Sequence, residues 1–171
     1  MKKLIILLAM VFAVSMVMAQ TNSSTITQAD LSQTATVDQT GAANTSFVTQ
    51  SNLLNVATVT QINEQLWPEN ATLSNITQTG QTNIATVTQT HDGNLASRAG
   101  ILEAVVDQSG DRNEAVQTQG AHSQMGTSYL SINQSGSDNY AFQNQVKYGN
   151  TATIDQSGNG NEARQAQDIN L

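Results

Sequence analysis

An all-β solenoid of about six stacked strand-turn-strand rungs, with two facing parallel sheets, is the fold that this sequence predicts. Three observations predict it. Twelve glutamines, Gln28, Gln39, Gln50, Gln61, Gln78, Gln89, Gln108, Gln119, Gln134, Gln145, Gln156 and Gln167, recur mostly eleven residues apart. Between them a frame repeats, with Gly two, Asn five, Ala seven and a β-branched residue nine positions after each Gln. When the glutamines are paired as 28/39, 50/61, 78/89, 108/119, 134/145 and 156/167, every spacing inside a pair is eleven, and all insertions fall between pairs. A fixed short period marks a small supersecondary unit that is stable only when stacked on its neighbours.

Residues 1–19 read as a secretory signal peptide. Lys2 and Lys3 precede an apolar run from Leu4 through Val17, and small Ala19 stands before Gln20 as the cleavage site. The run is short for a membrane-spanning helix. A short N-terminal segment, residues 20–27, leads into the repeat array, residues 28–171.

In the first rung the stretch Gln28-Ala29-Asp30-Leu31-Ser32-Gln33 replaces the Gly and Asn of the frame, as a worn repeat or partial cap would. The second rung carries Asn44 before Gln50 and Asn55 before Gln61. The third keeps Gln78, Gly80, Asn83, Ala85, Val87 and Gln89 in frame, with Asn94 following. The fourth has Gln108, Gly110, Asn113, Ala115 and Gln119, and the fifth has Gln134, Gly136, Asn139, Ala141 and Gln145. Asn150, Gln156, Gly158, Asn161, Ala163 and Gln167 make the sixth.

Each unit reads as a strand of about seven residues from Asn to the next Gln, then a four-residue turn such as Ser109-Gly110-Asp111-Arg112. Gly accepts positive φ there, and short polar side chains bond back to the backbone. Longer connections are expected at Ile62 to Ala71, which holds Trp67 and Pro68, at Leu95 to Ile101 and at Gly120 to Thr127. An eleven-residue period also suits a helical supercoil. Composition rejects it, because Thr, Val, Ile, Asn and Gly are poor helix formers and natural strand or turn residues.

Asn, Ala, Val and Gln sit at odd offsets, so in an extended chain they point to one side, the interior, while residues such as Thr58, Thr60, Thr86 and Thr88 face water. A buried amide left unsatisfied costs on the order of 1–3 kcal/mol. Stacking removes that cost, since each amide can donate to the next rung and accept from the previous one. The inward Gln and Asn residues are therefore the predicted ladder and polymerisation positions. Such ladders have no natural end, and no obvious cap follows Gln167, so the ends are expected to bind further copies of the chain.

Without Lys2 and Lys3, four cations face thirteen acids, for a net charge of minus nine. The cations are scattered singly, which argues against nucleic acid as a partner. Cysteine is absent, so packing and hydrogen bonds must hold the fold. No nucleophile elbow, phosphate loop or metal-ligand spacing is present, His91 and His122 read as solvated loop residues, and neither enzymatic activity, cofactor nor metal is expected.

The frame Gln-x-Gly-x-x-Asn-x-Ala-x-x-x-Gln, repeated from about Ser24 to Gln167, resembles the curlin repeat of bacterial curli fibres. That resemblance implies a subunit, major rather than nucleating because the final rung keeps its pattern, which forms extracellular amyloid at the bacterial surface for biofilm matrix, adhesion and colonisation. It also implies as partners a nucleator subunit, an outer-membrane secretion pore and accessory chaperones. The short, glycine-free stretch from Gln20 to Ser24 departs from the family pattern, as does Leu102, which stands six before Gln108 where the family has Ser. An ice-binding solenoid is the alternative from another class. Its basis is the Thr-x-Thr ranks at Thr34/Thr36, Thr58/Thr60, Thr86/Thr88 and Thr151/Thr153.

Overall fold

The computed structural model describes residues 21–64, 70–92, 100–122, 126–146 and 149–168. Residues 1–19, which the sequence suggests are a signal peptide, lie outside them, as do Trp67, Pro68 and Asn94. Twelve strands follow one another: β1 (Ser23–Gln28), β2 (Thr34–Gly41), β3 (Asn44–Ser51), β4 (Val56–Asn63), β5 (Ala71–Gln81), β6 (Ile84–Asp92), β7 (Gly100–Asp111), β8 (Glu114–His122), β9 (Gly126–Ser137), β10 (Tyr140–Val146), β11 (Thr151–Asn159) and β12 (Glu162–Asp168). Odd strands form one six-stranded sheet in sequence order, and even strands form the second. Consecutive strands of each sheet pair in parallel, so the chain crosses between sheets at every turn and coils through six rungs.

Register follows the glutamines. Gln28, Gln50, Gln78, Gln108, Gln134 and Gln156 stack in the first sheet. Gln39, Gln61, Gln89, Gln119, Gln145 and Gln167 stack in the second. Period-two alternation separates the faces, as in β4, where each buried residue is followed by a half-buried one. The core between the sheets joins Val48, Ile76, Val106, Ile132 and Ile154 of the first to Ala35, Ala57, Ala85, Ala115 and Ala141 of the second. A slip of one residue would carry that whole set outward and bury threonine in its place.

The strands outrun the predicted Asn-to-Gln span. β5, β7 and β9 continue past Gln78, Gln108 and Gln134 through the following glycine, and that glycine pairs with its counterpart one rung on. Turns stack as strands do, which is why the ladder does not stop at Gln. Each turn within a rung uses two left-handed residues. The second turn position holds Asp30, Asn52, Gly80, Gly110, Gly136 and Gly158, and the fourth holds Ser32, Leu54, Thr82, Arg112, Asp138 and Gly160, all at positive φ. Stacking adds a steric demand at the second position: a Cβ on Gly110 would lie 2.1 Å from the carbonyl oxygen of Gly136.

Candidate functional site

The candidate site is the set of inward amides and the two end faces they reach. In the first sheet Nε2 of Gln28 donates to Oε1 of Gln50 at 2.7 Å, and the same bond continues through Gln78, Gln108, Gln134 and Gln156 at 2.7 to 2.9 Å. In the second sheet Gln39, Gln61, Gln89, Gln119, Gln145 and Gln167 do likewise, at 2.7 to 3.4 Å. Every one of these bonds points toward the C-terminal rung. The second N–H of most of these glutamines reaches across the coil to a carbonyl at the start of the facing strand, as from Gln50 to Thr34 and from Gln61 to Thr45. Gln thus joins rung to rung and sheet to sheet. That double duty explains why it, rather than an apolar residue, recurs there.

Asparagine works differently from the symmetric amide ladder that the sequence suggests. At the turn edge Asn55, Asn83, Asn113, Asn139 and Asn161 are stacked, but the axial donor is the backbone N–H, which bonds Oδ1 of the Asn one rung earlier at 2.9 to 3.1 Å. Nδ2 bonds the carbonyl four residues back and the glycine carbonyl of the next rung, as Asn113 does with Ser109 and Gly136. At Asn139 and Asn161 it also donates to Oδ1 of the preceding Asn at 3.0 Å, so the side-chain ladder that the sequence suggests is present in the last two steps. Gln33 does the same work in the first rung, reaching the carbonyls of Ala29 and Asn52. The worn turn is a functional substitute.

On the opposite edge the column is interrupted. Asn44 bonds Oδ1 of Asn22, Thr72 bonds Oδ1 of Asn44, and then Leu102 occupies the place. Asn150 is buried at the far end of this column, beyond Ser128. Asn44 and Asn150 are therefore not members of one continuous ladder.

Two features escaped the sequence frame. Gln117, Gln143 and Gln165 form a third amide ladder, at 3.0 and 3.3 Å, where Val37, Val59 and Val87 stand in the earlier rungs. Its first member faces Val87, and the buried Oε1 of Gln117 has no donor. His91 is 2 % exposed on β6, in register with Asn63 and Ala121, rather than in a solvated loop. Inward alternation carried two residues past Gln89 places it there. His122 closes β8.

The end faces are chemically opposite. At the first rung Oε1 of Gln28 and of Gln39 accepts no hydrogen bond from the described residues. At the last, Nε2 of Gln156 and of Gln167 spends one N–H on the carbonyls of Tyr140 and Thr151 and retains the other. Both rungs keep the strand geometry of the interior.

Among the described side chains no charged one is buried. Arg112 clasps Asp138 of the next turn through Nε and Nη2 at 2.6 and 2.7 Å. The hydrogen bond from Arg112, reinforced by its charge, holds the Asp138 carboxyl below the ordinary carboxylate range. Among the described residues no group of three or more His, Cys, Asp or Glu side chains is placed to hold a metal ion. On the outer face of the second sheet, Thr36, Thr58 and Thr86 share one column and Thr60, Thr88 and Thr118 another. Thr153 belongs to the other sheet. No family model, curated protein or solved structure matches the chain.

Proposed function

We propose that the chain is a secreted structural subunit that assembles end to end into extracellular curli-type amyloid fibres for biofilm matrix, adhesion and surface colonisation. The observation that carries this reading is the pair of open ends. Among the described residues, acceptors stand free at the first rung and donors at the last, in the same columns. A second copy placed in register continues both glutamine ladders and both sheets, and an uncovered parallel edge is a template for such pairing. Opposite faces meeting head to tail make a heterologous contact that does not close, which yields a filament rather than a dimer. The resemblance of the Gln, Gly, Asn and Ala frame to curlin repeats gives the biological setting, including a nucleator subunit, a secretion pore and chaperones as partners. The intact sixth rung favours the major subunit over the nucleator.

The purified mature chain should polymerise after a lag, give cross-β diffraction near 4.7 and 10 Å and be seeded by fragments of its own fibres. A compact species that stays monomeric at micromolar concentration overturns the proposal.

The threonine columns favour a second reading, ice binding. Their spacing is about 4.8 Å between rungs and about 6.6 Å along the strand; each column spans three contiguous rungs, and the two overlap in two, at Thr58/Thr60 and Thr86/Thr88. Thermal hysteresis by the monomer is its test, and a solution that freezes as buffer does removes it.

A further inference from the structure

The two terminal strands of the second sheet, β2 and β12, differ in charge in a way that the stack interior does not use. Resting on the end-to-end reading above, we propose that each junction between copies is closed by an ion pair between Arg164 of one copy and Asp38 of the next. Within this sheet every step sets Gln on Gln, from Gln39 on Gln61 to Gln145 on Gln167. Carried one step further, Gln167 meets Gln39 of the following copy and Arg164 meets its Thr36. Asp38 is the next outward residue on the same face. A diagonal neighbour two residues along lies within reach of a long side chain.

Charge selects this pair. Among the described side chains of the first and last rungs the charged ones are Asp30, Asp38, Asp155, Glu162 and Arg164, so Arg164 is the one cation against four carboxylates there. Arg164 is exposed and engages Glu162, two residues away on its own strand, through Nε alone at 2.6 Å. Its guanidinium lies 5.2 Å from the ring centre of Tyr140. Asp38 is exposed and makes no ion pair among the described residues. A forward pair of the same chemistry already joins rungs of one copy at the turn edge, where Arg112 reaches the directly stacked Asp138 and binds it through two nitrogens. Two-nitrogen pairing to a carboxylate is stronger than a single contact. Arg164 therefore gains by turning from Glu162 to the incoming Asp38.

Elongation of each variant from fragments of its own fibres at low salt, followed by thioflavin fluorescence, tests the pair with Arg164→Glu, Asp38→Arg, the combined swap and Glu162→Gln. Asp38→Arg decides most. It lowers the net negative charge, so general repulsion alone would make self-elongation faster, whereas loss of the pair makes it slower. Each reversal should slow growth about fivefold, the scale of an exposed ion pair. The swap, growing on its own fragments, should return to within twofold, and Glu162→Gln should leave growth unchanged. A fast Asp38→Arg variant, or a swap as slow as either single change, overturns the ion pair while leaving stacking intact. A wild-type chain that never elongates overturns stacking and the pair together.

Discussion

Gln108 donates from Nε2 to Oε1 of Gln134 at 2.9 Å, and both side chains are fully buried. The same nitrogen crosses the coil to the carbonyl of Ile84 at 3.0 Å, while Oε1 of Gln108 accepts from Gln78 at 2.8 Å. Gln108→Ala removes all three bonds and leaves a donor and an acceptor buried without partners. Unsatisfied groups of this kind cost about 1–3 kcal/mol each. We expect a loss of about 4 kcal/mol for Gln108→Ala against about 1 kcal/mol for half-buried Gln28→Ala, which loses a single bond. Equilibrium dissociation of the assembled protein in guanidinium, read as released monomer, measures the difference.

The third ladder predicts strong non-additivity. Gln143→Val strands Gln117 and Gln165 on either side and should destabilise by about 2 kcal/mol. Replacing Gln117, Gln143 and Gln165 together by Val extends the valine column of Val37, Val59 and Val87 and removes the donorless Oε1 of Gln117. The triple variant should match or exceed the wild-type midpoint, because removing both partners of a buried bond is nearly neutral whereas removing one is not. A triple variant weaker than Gln143→Val would count against this account.

Backbone geometry predicts opposite signs at two neighbouring turn positions. Gly110 has φ +100°, and an added Cβ would meet the carbonyl of Gly136 at 2.1 Å, backbone against backbone. Gly110→Ala should therefore block formation of the fold and leave a disordered far-ultraviolet spectrum. Thr82 is a β-branched residue held at φ 59°. Thr82→Gly relieves the left-handed penalty, about 1–2 kcal/mol, partly offset by the greater freedom of Gly when unfolded. A rise in the denaturation midpoint is the expected result.

Arg112 and Asp138 give the pH prediction. The carboxyl of Asp138 is held low in the fold, so the contribution of the pair is present above the ordinary carboxylate pKa and is lost as pH falls through the lowered folded value. Both side chains are more than half exposed, so salt screens the pair. Carbon-13 titration of Asp138 should show its midpoint rising toward the ordinary value in Arg112→Ala. An unmoved midpoint would show that the contact is not populated in solution.

The glutamine columns, the pairing of strands into rungs and the division into inward and outward faces were legible because stacking puts the same residue in the same place six times. What the frame hid was whatever broke the recurrence. Gln117, Gln143 and Gln165 each stand two before a frame glutamine, a signal visible in the chain but masked by Val59 and Val87 in the earlier rungs. His91 was misplaced because the interior was taken to end at Gln89, whereas pairing with Asn63 and Ala121 carries it two residues further. Asparagine was placed inside correctly, but its donor could not be inferred. Whether the side chain or the backbone supplies the axial bond depends on turn angles that composition does not encode. Asp30 and Asn52, in place of glycine, hid the left-handed position for the same reason.

The uniform direction of the amide bonds has an electrical consequence. In these parallel sheets successive peptide units along each strand point to opposite neighbours, so the main-chain dipoles nearly cancel along the axis of the coil. The side-chain amides of Gln50, Gln78, Gln108 and Gln134, and of their counterparts in the other sheet, do not, since each points its N–H toward the last rung. Their moments add along the axis as peptide units do along an α-helix. Along its glutamine columns the coil is therefore a small electret, partially positive at Gln156 and Gln167 and partially negative at Gln28 and Gln39, while the asparagine Oδ1 atoms, which face the next rung, oppose it in part. Stacking more units lengthens it without ever reversing its sign.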